Sequence, residues 1–418
     1  MIDTDRQNKK VVILGKNYST ALGVIRALGA GGYPIELFYI STRSPRLAEI
    51  AGVSRYVQHM TIQAGRKDEE IIDKVIRLYG KPGETCILLP TDDYSCSLID
   101  QCRTKLTPYF LMPYIADGKE NGILSMMDKG RQIELAGQYG MKTARTWSVS
   151  LREDIHIPED MVFPCICKPQ ISARGYKSEI TECRNRSELE ECLAKMQKRM
   201  KNRSVLVQEL LVIDEEFSIS GICLDQYVLL PALLRKIRIA EYEKGVTLMG
   251  QVCGFGEMGV DGDKADSFVR QLSEALKSVR YCGLVDIEVI RSHGDLYFNE
   301  INFRNSGVGY AVTMAGINMP LMLADYLLDG TVPDQDPHIQ AGSRFLYDKA
   351  AWEEYIFGRM KKKQLQAYIK EADFTMLTCR EDPAPEELFR KVMKEILLRE
   401  RVKKILQVKR VKKLIRHR

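Results

Sequence analysis

The chain has 418 residues, 45% hydrophobic and 28% charged, which suits a folded protein of two or three domains. It has no apolar run of the ~18 residues that would span a bilayer, and its polar start, MIDTDRQNKK, runs straight into VVILG, so no signal peptide is expected. The net charge of +6 is uneven: residues 386–418 hold 13 Lys or Arg against 4 Glu, which is +9, leaving about −3 (6 − 9) for the rest.

Residues 11–40 read as strand, helix, strand: VVILG, then TALGVIRALGAGG with helical spacing, then YPIELFYI. This is a doubly wound α/β start, but the Gly-x-Gly-x-x-Gly fingerprint is absent, which argues against a nicotinamide site. A helix over Asp68–Tyr79 and a strand CILLP ending at Thr91-Asp92-Asp93 complete an α/β domain spanning 1–112. Residues 113–118 read as a linker, and SMMDKGRQIELAGQYGM as an amphipathic helix carrying Lys129. Residues 146–210 alternate strands with a helix at Arg186–Met200, the composition of a small α+β lid. Within it FPCIC leads to Lys168, the loop QISARGYKSE follows, and VLVQELL is a second strand. IDEEFSISGICL is another strand, residues 266–280 a helix, and MPLMLADYLLDG a helix that ends at Gly330 and closes a 113–330 domain. In the 331–418 extension, AAWEEYIFGRMKKKQLQAYIKEA reads as helical, and the last segment as a basic helix with apolar residues at helical spacing. The eleven cysteines are dispersed, which points to reduced thiols and a cytoplasmic protein.

The densest chemistry lies in EVIRSHGDLYFNEINFR, residues 288–304. Apolar runs flank a Ser-His-Gly-Asp turn, the pattern of a β-hairpin. Strand alternation puts Glu300 and Asn302 on one face, and the turn folds Glu288 back towards them. A solvated acidic hairpin would also carry such residues, but here their neighbours are apolar, and buried carboxylates need a cation. Two carboxylates and an amide oxygen make a hard oxygen site suited to Mg²⁺, and Arg304 adds a fixed positive charge on the same face.

Taken in order, Lys129, Lys168, Gln208-Glu209-Leu210-Leu211, Glu216, Glu288, Glu300, Asn302 and Arg304 make a succession that resembles the ATP-grasp ligases over residues 1–330. The resemblance implies a Rossmann-like N-terminal domain, then a two-lobed α+β ATP-grasp fold, with the helical basic tail as an addition. It implies that Lys129 and Lys168 contact ATP phosphates. Ser172 and Gly175 would belong to the loop over the phosphates, where Ala173 and Arg174 depart from the glycine-rich pattern. Gln208 to Leu211 would form the adenine hinge and Glu216 would accept from the ribose. Glu288, Glu300 and Asn302 would bind Mg²⁺, with Mn²⁺ the alternative ion. Lys236, Arg238 and Arg304 would hold the transferring phosphoryl group. Where the family commonly reads Asn-Pro-Arg, this chain has Asn302-Phe303-Arg304.

The implied reaction joins a carboxylate to an amine through an acyl phosphate, releasing ADP. The downstream NSGVGYAVTMAGINMPLMLADYLLDG is similar to D-aspartate ligases, which implies an amino acid and a cell-envelope precursor as substrates and Asn305, Ser306, Gly307 and Tyr310 as their contacts. Proteins like the carbamoyl-phosphate synthase large chain share the resemblance. The competing readings are therefore a carboxylate kinase or carbamoyl-phosphate-type enzyme, and a nucleotide-binding protein without catalysis. The basic tail suits peripheral contact with anionic lipid at the inner face of the membrane. It has no aromatic residue after Phe389, which argues against nucleic acid.

Overall fold

A computed structural model describes residues 6, 9–41, 45–64, 67–81, 83–116, 118–152, 154–171, 180–199, 203–243, 245–333 and 339–415, with backbone only for 45 and 404–415. Among those residues three sheets form the frame.

The first is parallel, in the order Val57–Ala64, Ile35–Ser41, Lys10–Gly15, Cys86–Pro90, Phe110–Leu111. Its central strand is buried continuously from Val11 to Gly15, as a strand covered on both faces must be. The chain builds outward from this strand on one side and then returns to the other. The reversal leaves a crevice at the carboxyl ends of Lys10–Gly15 and Cys86–Pro90. Gly15, Lys16 and Thr91-Asp92-Asp93 lie there, and the Lys16 N–H donates to Asp92 Oδ2 at 2.7 Å.

The second sheet is antiparallel, in the order Thr181–Cys183, Cys165–Pro169, Ser204–Glu209, Thr146–Ser150, with helix Arg186–Arg199 against it. Its core includes Cys165, Cys167, Cys183 and Cys192, and all eleven cysteines are free thiols.

The third and largest sheet has nine strands and holds the hairpin near one end. Strand Tyr281–Ser292 lies between Glu215–Leu224 and Asp295–Asn302. The hairpin turn has φ +49° at His293 and +76° at Gly294, the left-handed pair that a two-residue connection needs.

Three boundaries differ from the sequence reading. Tyr114–Ile115, inside the expected linker, pairs with Tyr281 and Cys282 on the edge of the large sheet. The 331–418 region does not stand apart: Arg344–Leu346 pairs with Met249–Gln251, and Phe374–Thr375 extends the same sheet. The single helix expected from 350 onward is two, Asp348–Ile356 and Lys362–Glu371, broken where Gly358 takes φ +81°.

The C-terminal helix runs from Ala384 to Ile415, and its first turns are buried through Phe389, Val392 and Met393. One buried ion pair locks this end to the first helix, Tyr18–Ala30. Arg26 donates from Nε to Asp382 Oδ2 at 2.9 Å, and from its two terminal nitrogens to the carbonyls of Leu377 and Asp382 at 2.9 Å each. Ser54 Oγ and the Arg55 N–H also donate to Asp382. Both charged side chains are 1% exposed, so each is satisfied by designed partners and not by water.

Candidate nucleotide and metal site

The site lies where the small antiparallel sheet faces the hairpin of the large one. The hairpin register is set by a bulge. A two-residue turn alone would place Glu288 opposite Asn299. Instead Val289 faces Phe298 while Glu288 faces Glu300, so Asn299 is the extra residue. This one-residue shift brings the carboxylates of Glu288 and Glu300 together and sets Asp286 opposite Asn302. Like charges placed directly across a ladder repel, so the pair needs cations nearby.

The cations come from separate elements. Lys129 opens helix Lys129–Gln138, which Asp128 caps by accepting the Gly130 N–H at 2.8 Å, and its ammonium bonds Glu300. Lys168, on the facing sheet, donates to Gln208 Oε1 at 2.9 Å and to Asn299 Oδ1 at 3.4 Å. Burial, with the nearby charge of Lys129, pulls its ammonium down to about 7 against the opposing pull of Glu288. Lys236 reaches Glu216 Oε2 at 2.6 Å. Burial would lower its ammonium, but Glu288, Glu216 and Asp286 outweigh that and hold it above its ordinary value.

Arg304 ties the site to the start of helix Asp93–Gln101, beside the parallel sheet. Its Nε donates to Asp93 Oδ1 at 2.7 Å, one terminal nitrogen to Asn302 Oδ1 at 3.1 Å, and the other to the Asn305 carbonyl at 3.3 Å. Burial works against its charge, but Asp93, Asp286 and Glu288 raise it further above its ordinary value. Asp286, buried and bonded by Ser218, has its carboxyl raised by desolvation, with Arg304 pulling the other way.

Lys129, Lys168, Gln208, Glu216, Lys236, Glu288, Glu300, Asn302 and Arg304 therefore form one connected network. Gln208 enters it as a side chain that orients Lys168, held in turn by a 2.9 Å bond to Thr146 Oγ1. At the strand end, the Glu209 and Leu210 N–H groups donate to the carbonyls of Arg145 and Pro164. The Leu211 N–H has no backbone partner among the described residues. Val212 and Ile213, next along the chain, are exposed. Alternation sends Glu215 to the opposite face, where it pairs with Arg291 and Arg235.

Other expected residues sit elsewhere. A bulge after Lys236 breaks the strand alternation, and Arg238 is exposed and stacked over the Tyr368 ring at 5.2 Å. Tyr310 is buried against Gly23 and Arg26 of the first helix. Asn305 is buried with its amide against Gly309, and the Ser306 hydroxyl accepts from the Val308 N–H at 3.3 Å, so both shape their own turn. Gly307 lies near Thr20 and Tyr347, facing the start of the first helix. Ser172 and Gly175 lie outside the described residues.

Three residues went unassigned in the sequence. Asp286 shares parity with Glu288, which was a usable signal. Asp93 lies some two hundred positions from Arg304, and Asn299 matters only because of the bulge, so neither left a local trace. Among the described residues no group of three or more His, Cys, Asp or Glu is arranged to hold a metal ion by itself. The oxygen donors still fit Mg²⁺, which is usually bound by one or two carboxylates together with substrate phosphates and not by an all-protein cage.

No family model matches the chain. Solved structures do. An L-amino acid ligase from Bacillus licheniformis aligns at 14% identity and TM-score 0.59, covering 81% of this chain and 79% of that one. The ADP complex of PurK, an N5-carboxyaminoimidazole ribonucleotide synthetase, aligns at 13% and 0.59, over 81% and 80%. A biotin carboxylase complex from Campylobacter jejuni aligns at 14% and 0.60, over 82% and 75%. At these identities the likeness is one of fold.

Proposed function

We propose that this protein, whose fold is that of the ATP-grasp enzymes, is an ATP-dependent carboxylate–amine ligase. The observation that carries the reading is the bulged hairpin. It sets Glu288 against Glu300 and Asp286 against Asn302, with Lys129, Lys168 and Lys236 converging on them from three other places in the chain and Arg304 following two residues after Asn302.

In this reading ATP lies between the small sheet and the hairpin. Its adenine takes the Leu211 N–H, with Val212 and Ile213 as the adjoining apolar surface, and its ribose takes Glu216. Lys129 and Lys168 turn from their present acceptors to the phosphates. Glu288, Glu300 and Asn302 hold Mg²⁺ or Mn²⁺, which when bound screens the repulsion between triphosphate and incoming carboxylate. The substrate carboxylate attacks the γ-phosphorus, ADP leaves, and an acyl phosphate forms. An amine then attacks the acyl carbon and phosphate departs. Arg304 is held by Asp93 and Asn302, so it is oriented before substrate arrives. It stabilises the charge on the transferring group and then on the tetrahedral oxyanion. An amino acid and a cell-envelope precursor remain the substrate proposal, with Gly307, which faces Thr20 and Tyr347, as one lining position.

Hydroxylamine trapping tests the scheme. Incubating carboxylates with MgATP and hydroxylamine should give the hydroxamate of the true substrate with matching ADP. Acyl phosphate accumulating without an amine requirement would favour a carboxylate kinase. Turnover with bicarbonate and ammonia would favour a carbamoyl-phosphate-type enzyme. Tight ATP binding with no turnover across the panel would favour a non-catalytic binder.

A further inference from the structure

The C-terminal helix divides into two unlike halves. Its first turns bury Phe389, Val392 and Met393 against the body, and Arg46 pairs with Glu395. From Leu398 onward the character changes. Leu398 is 64% exposed and Val402 47%, while Arg399, Arg401 and Lys403 are also exposed. The helical backbone continues to Ile415. Residues 399–418 carry ten Lys or Arg against Glu400, which is +9, so the whole excess of the tail lies in this second half. At 100° per residue the positions of Leu398, Val402, Ile405 and Leu406 fall within an arc of about 100°, whereas those of Val408, Val411, Leu414 and Ile415 fall outside it, so the apolar stripe is confined to residues 398–406.

We propose that this second half docks on an anionic lipid surface. Two features together choose that occupant. The positive charge complements a dense negative partner, which the body, at about −3, is not. The exposed leucine and valine gain nothing from phosphates alone but gain from an apolar layer beneath them. A bilayer with acidic headgroups supplies both within one contact. Nucleic acid would supply only the first, and no Phe, Tyr or Trp follows Phe389 to stack on bases. The buried first half and the Arg26–Asp382 pair at its base fix the helix to the body, so docking would hold the enzyme core beside the surface. The inference is independent of the proposed ligase chemistry.

Co-sedimentation of the full chain with vesicles tests it. The protein should pellet with phosphatidylcholine vesicles containing phosphatidylserine, stay in solution with phosphatidylcholine alone, and be released by salt. The variant R399Q/R401Q should bind about thirtyfold more weakly. L398E/V402E should also fall, even though an apolar contact is all it loses besides two added negative charges, and L398S/V402S separates those effects by weakening binding without changing charge. All four positions are exposed, so the melting temperature should not move. Equal pelleting of parent and serine variant, no pelleting with phosphatidylserine, or stronger binding to duplex DNA than to vesicles would each overturn the proposal.

Discussion

Lys168 offers the sharpest perturbation of the site. The residue is 7% exposed, its ammonium has two neutral amide oxygens as hydrogen-bond partners with Lys129 nearby, and burial holds it at about 7. Bound triphosphate would restore the charge. Above pH 8 the free protein therefore holds Lys168 neutral while the complex holds it charged, so binding takes up a proton and weakens as pH rises. The charged fraction drops about tenfold per pH unit there, and the Kd of a non-hydrolysable ATP analogue should rise about tenfold from pH 8 to pH 9. Calorimetry in buffers of different ionisation enthalpy should record uptake approaching one proton. Lys168→Ala should bind more weakly at pH 7 and lose the slope. Lys168→Arg, always charged, should bind with a flat profile. A flat profile in the parent, or the same slope in Lys168→Ala, would refute the argument. The same group has a signature in folding. The unfolded chain keeps this lysine protonated to about pH 10, so it binds more protons than the folded state between about 7 and 10, and this group's contribution makes stability rise with pH across that window.

Three further outcomes are expected. Asp93→Ala removes the charge-assisted bond to Arg304, about 1.5–3 kcal/mol, and should lower kcat roughly tenfold to a hundredfold while the KM for MgATP stays within a factor of a few; a change confined to MgATP KM would contradict a positioning role. Glu300→Gln should retain the fold by circular dichroism yet lose at least about a hundredfold in metal-dependent turnover; full activity would remove Glu300 from the site. Asp382→Ala strands Arg26 in the interior and should cost about 3–5 kcal/mol in denaturant unfolding; a loss below about 1 kcal/mol would show that water reaches the cavity.

Much of this architecture could be read in the chain because local patterns carried it. VVILG and CILLP are continuous apolar runs, the mark of strands covered on both faces, and SHGD between alternating runs marks a tight hairpin. Strand alternation gave Glu300 and Asn302 their common face. Contacts between distant segments left no such mark. Nothing near Arg26 announces Asp382, and nothing near Arg304 announces Asp93. The bulge at Asn299 was also hidden: counting back from the turn puts Glu288 opposite Asn299, and only the fold shows the slip that seats it opposite Glu300. Arg238 parts from the face of Lys236 for the same reason, since a bulge cancels the alternation between them. Tyr310 follows a glycine-rich turn that looks like a substrate loop, yet its ring packs on Gly23 and Arg26 of the first helix.

The most direct test of the whole account is the nucleotide product. The protein, MgATP and paired panels of carboxylates and amines should yield ADP, phosphate and an amide in equal amounts, with no turnover when the carboxylate is omitted. AMP and pyrophosphate as products, or ADP release indifferent to any carboxylate, would contradict it.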